Sequence, residues 1–484
     1  MKRLHPLPSA AAASAVPFAA AQGAAYRLAV PADGHRALAA GWLFLGIGAL
    51  LASGLFSVLL VLSRTPGLKD WLPVAHFFRV ALVVHVDLSV LVWFVAFAGV
   101  LWSLAAGRKH SRLAWAGLVV CAVGTLAMSL APFLESAQPV MANYIPVLDG
   151  PMFLAGLLML AGGAALVVLR AMFATQPVLY VLDGPAAIRL GLVAAAVSTA
   201  VALFAFLWSW LALPAGLEAR TYYEVLFWGG GHVLQFTWTL LMLVAWLWLA
   251  DAIGARLRLS PRVVIVLFGL ALLLAFLTPF VYLAYDIASL EHRRALTWMM
   301  RVGGGLAILP LALALTVAVA EMRGVVQRAR ALRAALVMSL TLFAAGGLIG
   351  FAIDGSNVKV PAHYHGCIVG ITLAFMGVAY ELLPRLGFRA PVSRAAVWQP
   401  VIYGAGQLMH IAGLVWSGGY GVQRKVGGAD QVLTGVQQVA GMGLMGLGGL
   451  IAIAGGVLFL VVVARAVWPV RVPPKCAAPE AGAR

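Results

Sequence analysis

Apolar residues run through this chain in long, nearly unbroken blocks separated by short polar connections. Twelve blocks are long enough to cross a bilayer, near 38–63, 74–106, 113–134, 141–169, 186–213, 222–250, 262–286, 296–320, 334–353, 362–384, 397–418 and 437–466. A span needs ~20 apolar residues, and most blocks exceed that, which leaves room for tilt. The connections hold no low-complexity block, no long polar insertion and no hydrophilic domain. Backbone polar groups in lipid must be satisfied within their own segment, so the blocks are expected to be helices. The expected fold class is all-α: a polytopic membrane protein with a twelve-helix transmembrane bundle over 37–466. Residues 1–36 and 467–484 are expected to be cytoplasmic tails.

Composition agrees with the pattern. Of 484 residues, 63% are hydrophobic and only 10% charged, with mean hydropathy +0.99; a soluble domain carries about 25% charged residues. The net charge of +17 would suggest nucleic acid in a soluble protein. In a membrane protein it points instead to cationic loops, and no nucleic-acid partner is expected. Lys and Arg concentrate in the even-numbered connections, including Arg108/Lys109/Arg112 and Arg323/Arg328/Arg330/Arg333. The positive-inside rule then places both termini in the cytoplasm, as in a bacterial inner membrane. Met1–Gln22 lacks a clean apolar core and reads as a tail rather than a cleaved signal. Cys121, Cys367 and Cys476 have no metal-ligand or disulfide spacing.

The histidines carry the candidate chemistry. His85 falls in the second span, His232 in the sixth, His363 and His365 in the tenth and His410 in the eleventh. Ionisable residues at membrane depth are costly and mark function by default. These five also agree in depth, all lying in the outer half of the bundle. His363 and His365 stand two residues apart, roughly 200° around a helix, so they face opposite sides and cannot share one metal. Each can ligate a different iron, one of them with His85 across the bundle. From spacing alone, haem ligation, core packing and a proton relay all remain open.

The string PAHYHGCIVGITLAFMG in the tenth span, FWGGGHVLQF in the sixth and His85 in the second resemble the catalytic subunit of the haem-copper oxidase superfamily. The resemblance covers about 40–466 and implies two haems, one low-spin and one high-spin. It makes His85 and His365 ligands of the low-spin haem iron and His363 the ligand of the high-spin haem iron. His232 becomes the first histidine of a second metal, copper in most of the family. SGGYGVQRKVGG puts Arg424 and Lys425 where the family places basic residues on haem propionates, and Arg suits bidentate carboxylate binding.

The sequence departs from the family at the seventh span. Val281 and Tyr282 stand where an adjacent His-His pair completes the copper site. The nearest histidine, His292, lies among Glu291, Arg293 and Arg294 and reads as part of a polar loop. Phe236 replaces the tyrosine one turn after the copper histidine, leaving Tyr282 or Tyr285 as a redox phenol or as plain interfacial aromatics. Glu224 sits eight residues before His232, near the expected site mouth. The implied activity is a respiratory terminal oxidase reducing dioxygen. The alternatives are nitric-oxide reduction within the same superfamily, or a non-enzymatic dihaem carrier or gas sensor without copper. No CxxCH motif is present, so electrons are expected from a cytochrome c or cupredoxin-type donor through a partner subunit.

Overall fold

The computed structural model describes residues 25–30, 34–68, 75–107, 109–175 and 181–468. Most of both expected tails, with Arg108 and Cys476, lies outside the described residues. Within them are twelve long helices: α1 (Gly34–Leu62), α2 (Phe77–Ala105), α3 (Ser111–Leu134), α4 (Pro151–Ala174), α5 (Gly184–Ala212) and α6 (Ala219–Ile253). The chain continues through α7 (Pro261–Ala284), α8 (Leu290–Ala320), α9 (Arg330–Phe351), α10 (Lys359–Arg385), α11 (Arg394–Gly419) and α12 (Val436–Val467). Eleven are long and apolar enough to span. The remaining one, α11, has 26 residues and is made more polar by Gln399, Gln407 and His410.

Two helices form the middle of the bundle. The most apolar stretches of α6 and α10 are 89% and 83% buried, against 28–61% in the other spanning helices. These are the helices that carry His232 and the His363/His365 pair. Around them, helices pair through small residues. Gly406 and Gly413 of α11 and Gly441, Gly448 and Gly455 of α12 recur every seven positions, and each backbone abuts the opposing helix. A Cβ at Gly441 would lie 2.8 Å from the Ser417 nitrogen. Close approach of this kind supplies van der Waals contact where lipid offers no hydrophobic driving force. Ser339 of α9 ties the centre together: it accepts a hydrogen bond from Trp246 Nε1 of α6 at 2.7 Å and donates to the Gly370 carbonyl of α10 at 2.6 Å.

Two departures from the expected helix boundaries bear on the site. The stretch expected to span from 141 begins instead as a β-hairpin, β1 (Gln138–Val140) against β2 (Val147–Asp149). The helix starts only at Pro151, where the Glu135 carboxylate accepts from the Met152 and Phe153 amides at 2.9 and 3.0 Å. Pro at the first helical position and an external cap outcompete apolar content in setting that boundary. The expected polar loop before 296 is helical from Leu290, because Ser289 caps α8 by accepting from the His292 amide at 3.1 Å. Inside α2, a π-helical turn over Asp87–Val92 begins two residues after His85, a distortion often found at functional positions.

Candidate functional site

On α2, His85 faces α1. Its Nδ1 lies 2.9 Å from Ser53 Oγ and 3.1 Å from the Ser53 carbonyl, while Ser53 Oγ donates to the His85 carbonyl at 3.1 Å. Ser53 is thus the acceptor for Nδ1–H. The neutral ring then keeps its lone pair on Nε2. Ser89 of the π-helical turn also donates to the His85 carbonyl, at 2.6 Å.

The two α10 histidines part as their spacing requires. His363 turns to α9, where Nδ1 donates to the Gly346 carbonyl at 2.7 Å. Gly350 leaves the space its ring needs, since a Cβ there would come within 2.8 Å of Nδ1. His365 turns to α11 and packs on His410 with ring centroids 5.0 Å apart. His410 is itself fixed by Nδ1 donating to the Met445 carbonyl of α12 at 3.0 Å. His85 and Arg64 lie within electrostatic reach of His365. Arg64, just past α1, is held by Gln431 Oε1 at 3.2 Å; it gave no motif signal, because a lone Arg in a connection looks like any other.

His232 of α6 is 1% exposed. Its Nδ1 donates to the Trp228 carbonyl at 2.8 Å, one turn back on the same helix. Its Nε2 meets Tyr144 Oη at 2.9 Å, with Thr297 Oγ1 of α8 at 3.4 Å. Tyr144 comes from the tip of the β1–β2 hairpin and lies against Gly231, which has no side chain to exclude it. Burial, then the Glu224 carboxylate, hold its phenol above the ordinary value, so it stays protonated. The apolar pattern predicts a span from 141, which hides this residue; the hairpin places it at His232.

The other candidates in this region sit as follows. Tyr282 is buried against Gly229, with Oη 2.8 Å from Ser209 Oγ and donating to the Ala205 carbonyl at 3.2 Å. Its hydroxyl is therefore engaged with α5. Tyr285 is 43% exposed at the end of α7, and the structure does not bring it to His232. His292 corrects the polar-loop expectation: it is fully buried, its ring edge-on to Tyr282 at 4.7 Å, and neither ring nitrogen has a partner.

A polar cavity of about 410 Å³ opens beside this cluster, lined among others by Asn143, Glu224, Arg220, Arg293, Arg424 and Lys425. Glu224 accepts from the Asn143 amide at 3.0 Å and from its side chain. Lys425 Nζ donates to Asn143 Oδ1 at 3.1 Å, and Arg424 Nε to Ser356 Oγ at 3.1 Å. Lys425 adopts a left-handed backbone, φ 62°, which directs two consecutive cations into one cavity. Burial, then the neighbouring Arg424, pull its ammonium down to about 8. Arg79 instead pairs with Asp430 at 3.5 Å at the exposed rim. Asp354 organises the turn before α10, accepting from Lys359 Nζ at 2.8 Å.

A family model for cytochrome c and quinol oxidase polypeptide I matches residues 37–458. The chain belongs to this family. As a member of the haem-copper oxidase superfamily, it is an integral membrane protein of a haem-binding, oxidoreductase lineage. It is 29% identical over 499 aligned positions to an uncharacterized protein of Rickettsia prowazekii (strain Madrid E), covering 88% of this chain and 95% of that one. An uncharacterized protein of Aquifex aeolicus (strain VF5) is 29% identical over 351 positions, 72% of this chain and 85% of the relative. The fold matches a haem-copper terminal oxidase dimer solved by cryo-electron microscopy, with TM-score 0.66 and 17% identity over 91% of this chain and 85% of that one.

The residues present fit the family's haems. His85 and His363 each have Nδ1 fixed by an acceptor and Nε2 left for a metal, the arrangement that orients ligating imidazoles, and Gly350 makes the space for the His363 ring. They do not fit a three-histidine second metal. Nε2 of His232 is taken by Tyr144, Val281 is aliphatic and Tyr282 is bonded to Ser209. Among the described residues no group of three or more His, Cys, Asp or Glu side chains is placed to hold a metal ion.

Proposed function

We propose that this chain is the haem-bearing catalytic subunit of a respiratory terminal oxidase. Two haems are held in the outer half of a bacterial inner membrane, with both termini cytoplasmic and lipid around the helices. The reading rests on one observation above the others: a fixed Nδ1 on His85 and on His363, which leaves Nε2 of each ring for an iron. His85 and His365 would hold the low-spin haem, and His363 the high-spin one. When bound, the haems supply the electron relay and a gas-binding iron. Everything else belongs to the chain. Ser53 and Gly346 orient ligand rings, while Arg424 and Lys425 offer charge to propionates. The packed faces of α6 and α10 exclude water.

Dioxygen is the substrate in this reading, with electrons from a cytochrome c or cupredoxin-type donor through a partner subunit. Nitric-oxide reduction is the second reading, favoured by the Glu224 carboxylate beside Tyr144, since reductases of the superfamily add glutamates near the site. Reduced-minus-oxidised spectra with and without carbon monoxide test the haem assignment; one carbon-monoxide-sensitive and one insensitive haem are expected, and absence of haem would overturn it. Oxygen-electrode and nitric-oxide-electrode rates on the same membranes then separate the two substrates. Consumption of neither would leave the carrier or sensor reading in place of catalysis.

A further inference from the structure

We propose that Tyr144 and His232 form a metal-free phenol–imidazole pair that occupies the second-metal position, so that the chain binds haem but no second metal. The inference rests on the haem reading above and deepens it. His232 commits Nδ1–H to the Trp228 carbonyl at 2.8 Å. Its other nitrogen must then accept, so the 2.9 Å contact is a hydrogen bond donated by Tyr144. A metal at Nε2 would have to displace that phenol in a site where the ring is 1% exposed.

The side chains that touch Nε2 would not compensate such a displacement. A metal at His232 needs further nitrogen or charged oxygen donors. The polar atoms that meet Nε2 are the Tyr144 phenol itself and Thr297 Oγ1, which donates to the Arg293 carbonyl at 2.8 Å. His292 lies within electrostatic reach of His232 but turns its ring edge-on to Tyr282.

The hairpin is built to deliver the phenol. Gly231 lets the Tyr144 ring lie on α6, and the ring also meets Trp228 edge-on at 5.7 Å. Asn143, the preceding residue, is clamped by Glu224 and Lys425. A half-buried, protonated phenol at this place keeps its proton between Oη and His232 Nε2, next to the wall of the outer polar cavity, and puts a neutral polar pair rather than a Lewis acid on the gas-binding side of the site.

The test uses the purified complex as assembled in its membrane. Total iron and copper are measured against haem in the wild type and in His232→Ala. Iron equal to haem iron, no copper above background, and the same result in the variant are expected. One extra copper or iron per chain that His232→Ala removes would overturn the inference. The infrared carbon-monoxide stretch of the reduced protein is then recorded in H2O and D2O. A band position that Tyr144→Phe shifts in both solvents is expected, because the polar pair beside the bound gas is lost, whereas a band insensitive to the substitution overturns the pair. If Tyr144→Phe does not assemble, wild-type metal content decides alone. A protein with no carbon-monoxide-binding haem would instead defeat the functional reading.

Discussion

Gly346 accepts from His363 Nδ1 across the α9–α10 contact at 2.7 Å, so a backbone carbonyl on one helix sets the ring plane of a metal-ligand candidate on the next. Four residues on, Gly350 makes room for the same ring. A Cβ at 350 would stand 2.8 Å from Nδ1 and 2.9 Å from Cε1. Gly350→Ala is expected to push the ring off its acceptor and weaken carbon-monoxide binding roughly 10-fold or more, while the low-spin band stays. Equal loss of both bands would place His363 elsewhere.

His363→Ala is the complementary change. Carbon-monoxide binding disappears and the low-spin spectrum survives. An unaltered carbon-monoxide spectrum would sink the ligand assignment.

Ser53 plays for His85 the part that Gly346 plays for His363, through a side chain that can be mutated. Ser53→Ala removes the Oγ contact at 2.9 Å but leaves the carbonyl at 3.1 Å. Haem retention at the low-spin site is expected to fall about 10-fold, at the low end of outer-shell effects. Selective haem loss in detergent, read by reduced spectra, checks it; loss of the carbon-monoxide-binding haem first would contradict it.

Ser339 tests the centre of the bundle rather than the site. Ser339→Ala leaves Trp246 Nε1–H without its buried acceptor, at a cost of about 1–3 kcal/mol. Thermal unfolding in detergent should show a lower midpoint with an unchanged haem spectrum.

Lys425 carries a pH signature. Its folded value of about 8 is below its ordinary 10.5, so between those limits the unfolded chain holds a proton that the folded one has released. Stability of haem-depleted protein therefore rises with pH across that window. Haem loading, which brings carboxylates to the cavity, should flatten the rise. Lys425→Met should abolish it; a slope that survives the substitution belongs to another group.

Much of this was legible in the sequence, and the boundary of legibility is physical. Apolar run length gave all twelve helices, since lipid leaves no other option for those backbones. The opposite facing of His363 and His365 followed from helical pitch alone. What stayed hidden were contacts made across sequence. Tyr144 sits in an apolar stretch whose first ten residues are a hairpin, and only Pro151 and the Glu135 cap betray the boundary. His292 looked solvated beside Glu291, Arg293 and Arg294, yet the helix that Ser289 starts turns its ring inward onto Tyr282. Tyr282 and Tyr285 could not be told apart by spacing, and the structure buries the first and exposes the second.

The β1–β2 hairpin brings to His232 a group that no spanning helix carries. The spanning helices are locked by close backbone contacts, and changing one of their residues disturbs neighbours on every side. The hairpin is held among them by the buried Val147 and Leu148, by Asp149 accepting from Tyr223 Oη at 2.8 Å, and by Asn143 and Tyr144 at its tip. Tyr144 lies in the loop between the paired Val140 and Val147, so inserting or deleting one residue there would move the phenol off His232 Nε2 while the strand pairing stays. Variation in the length of this single loop, with the helical frame untouched, would be enough to exchange one kind of distal chemistry for another.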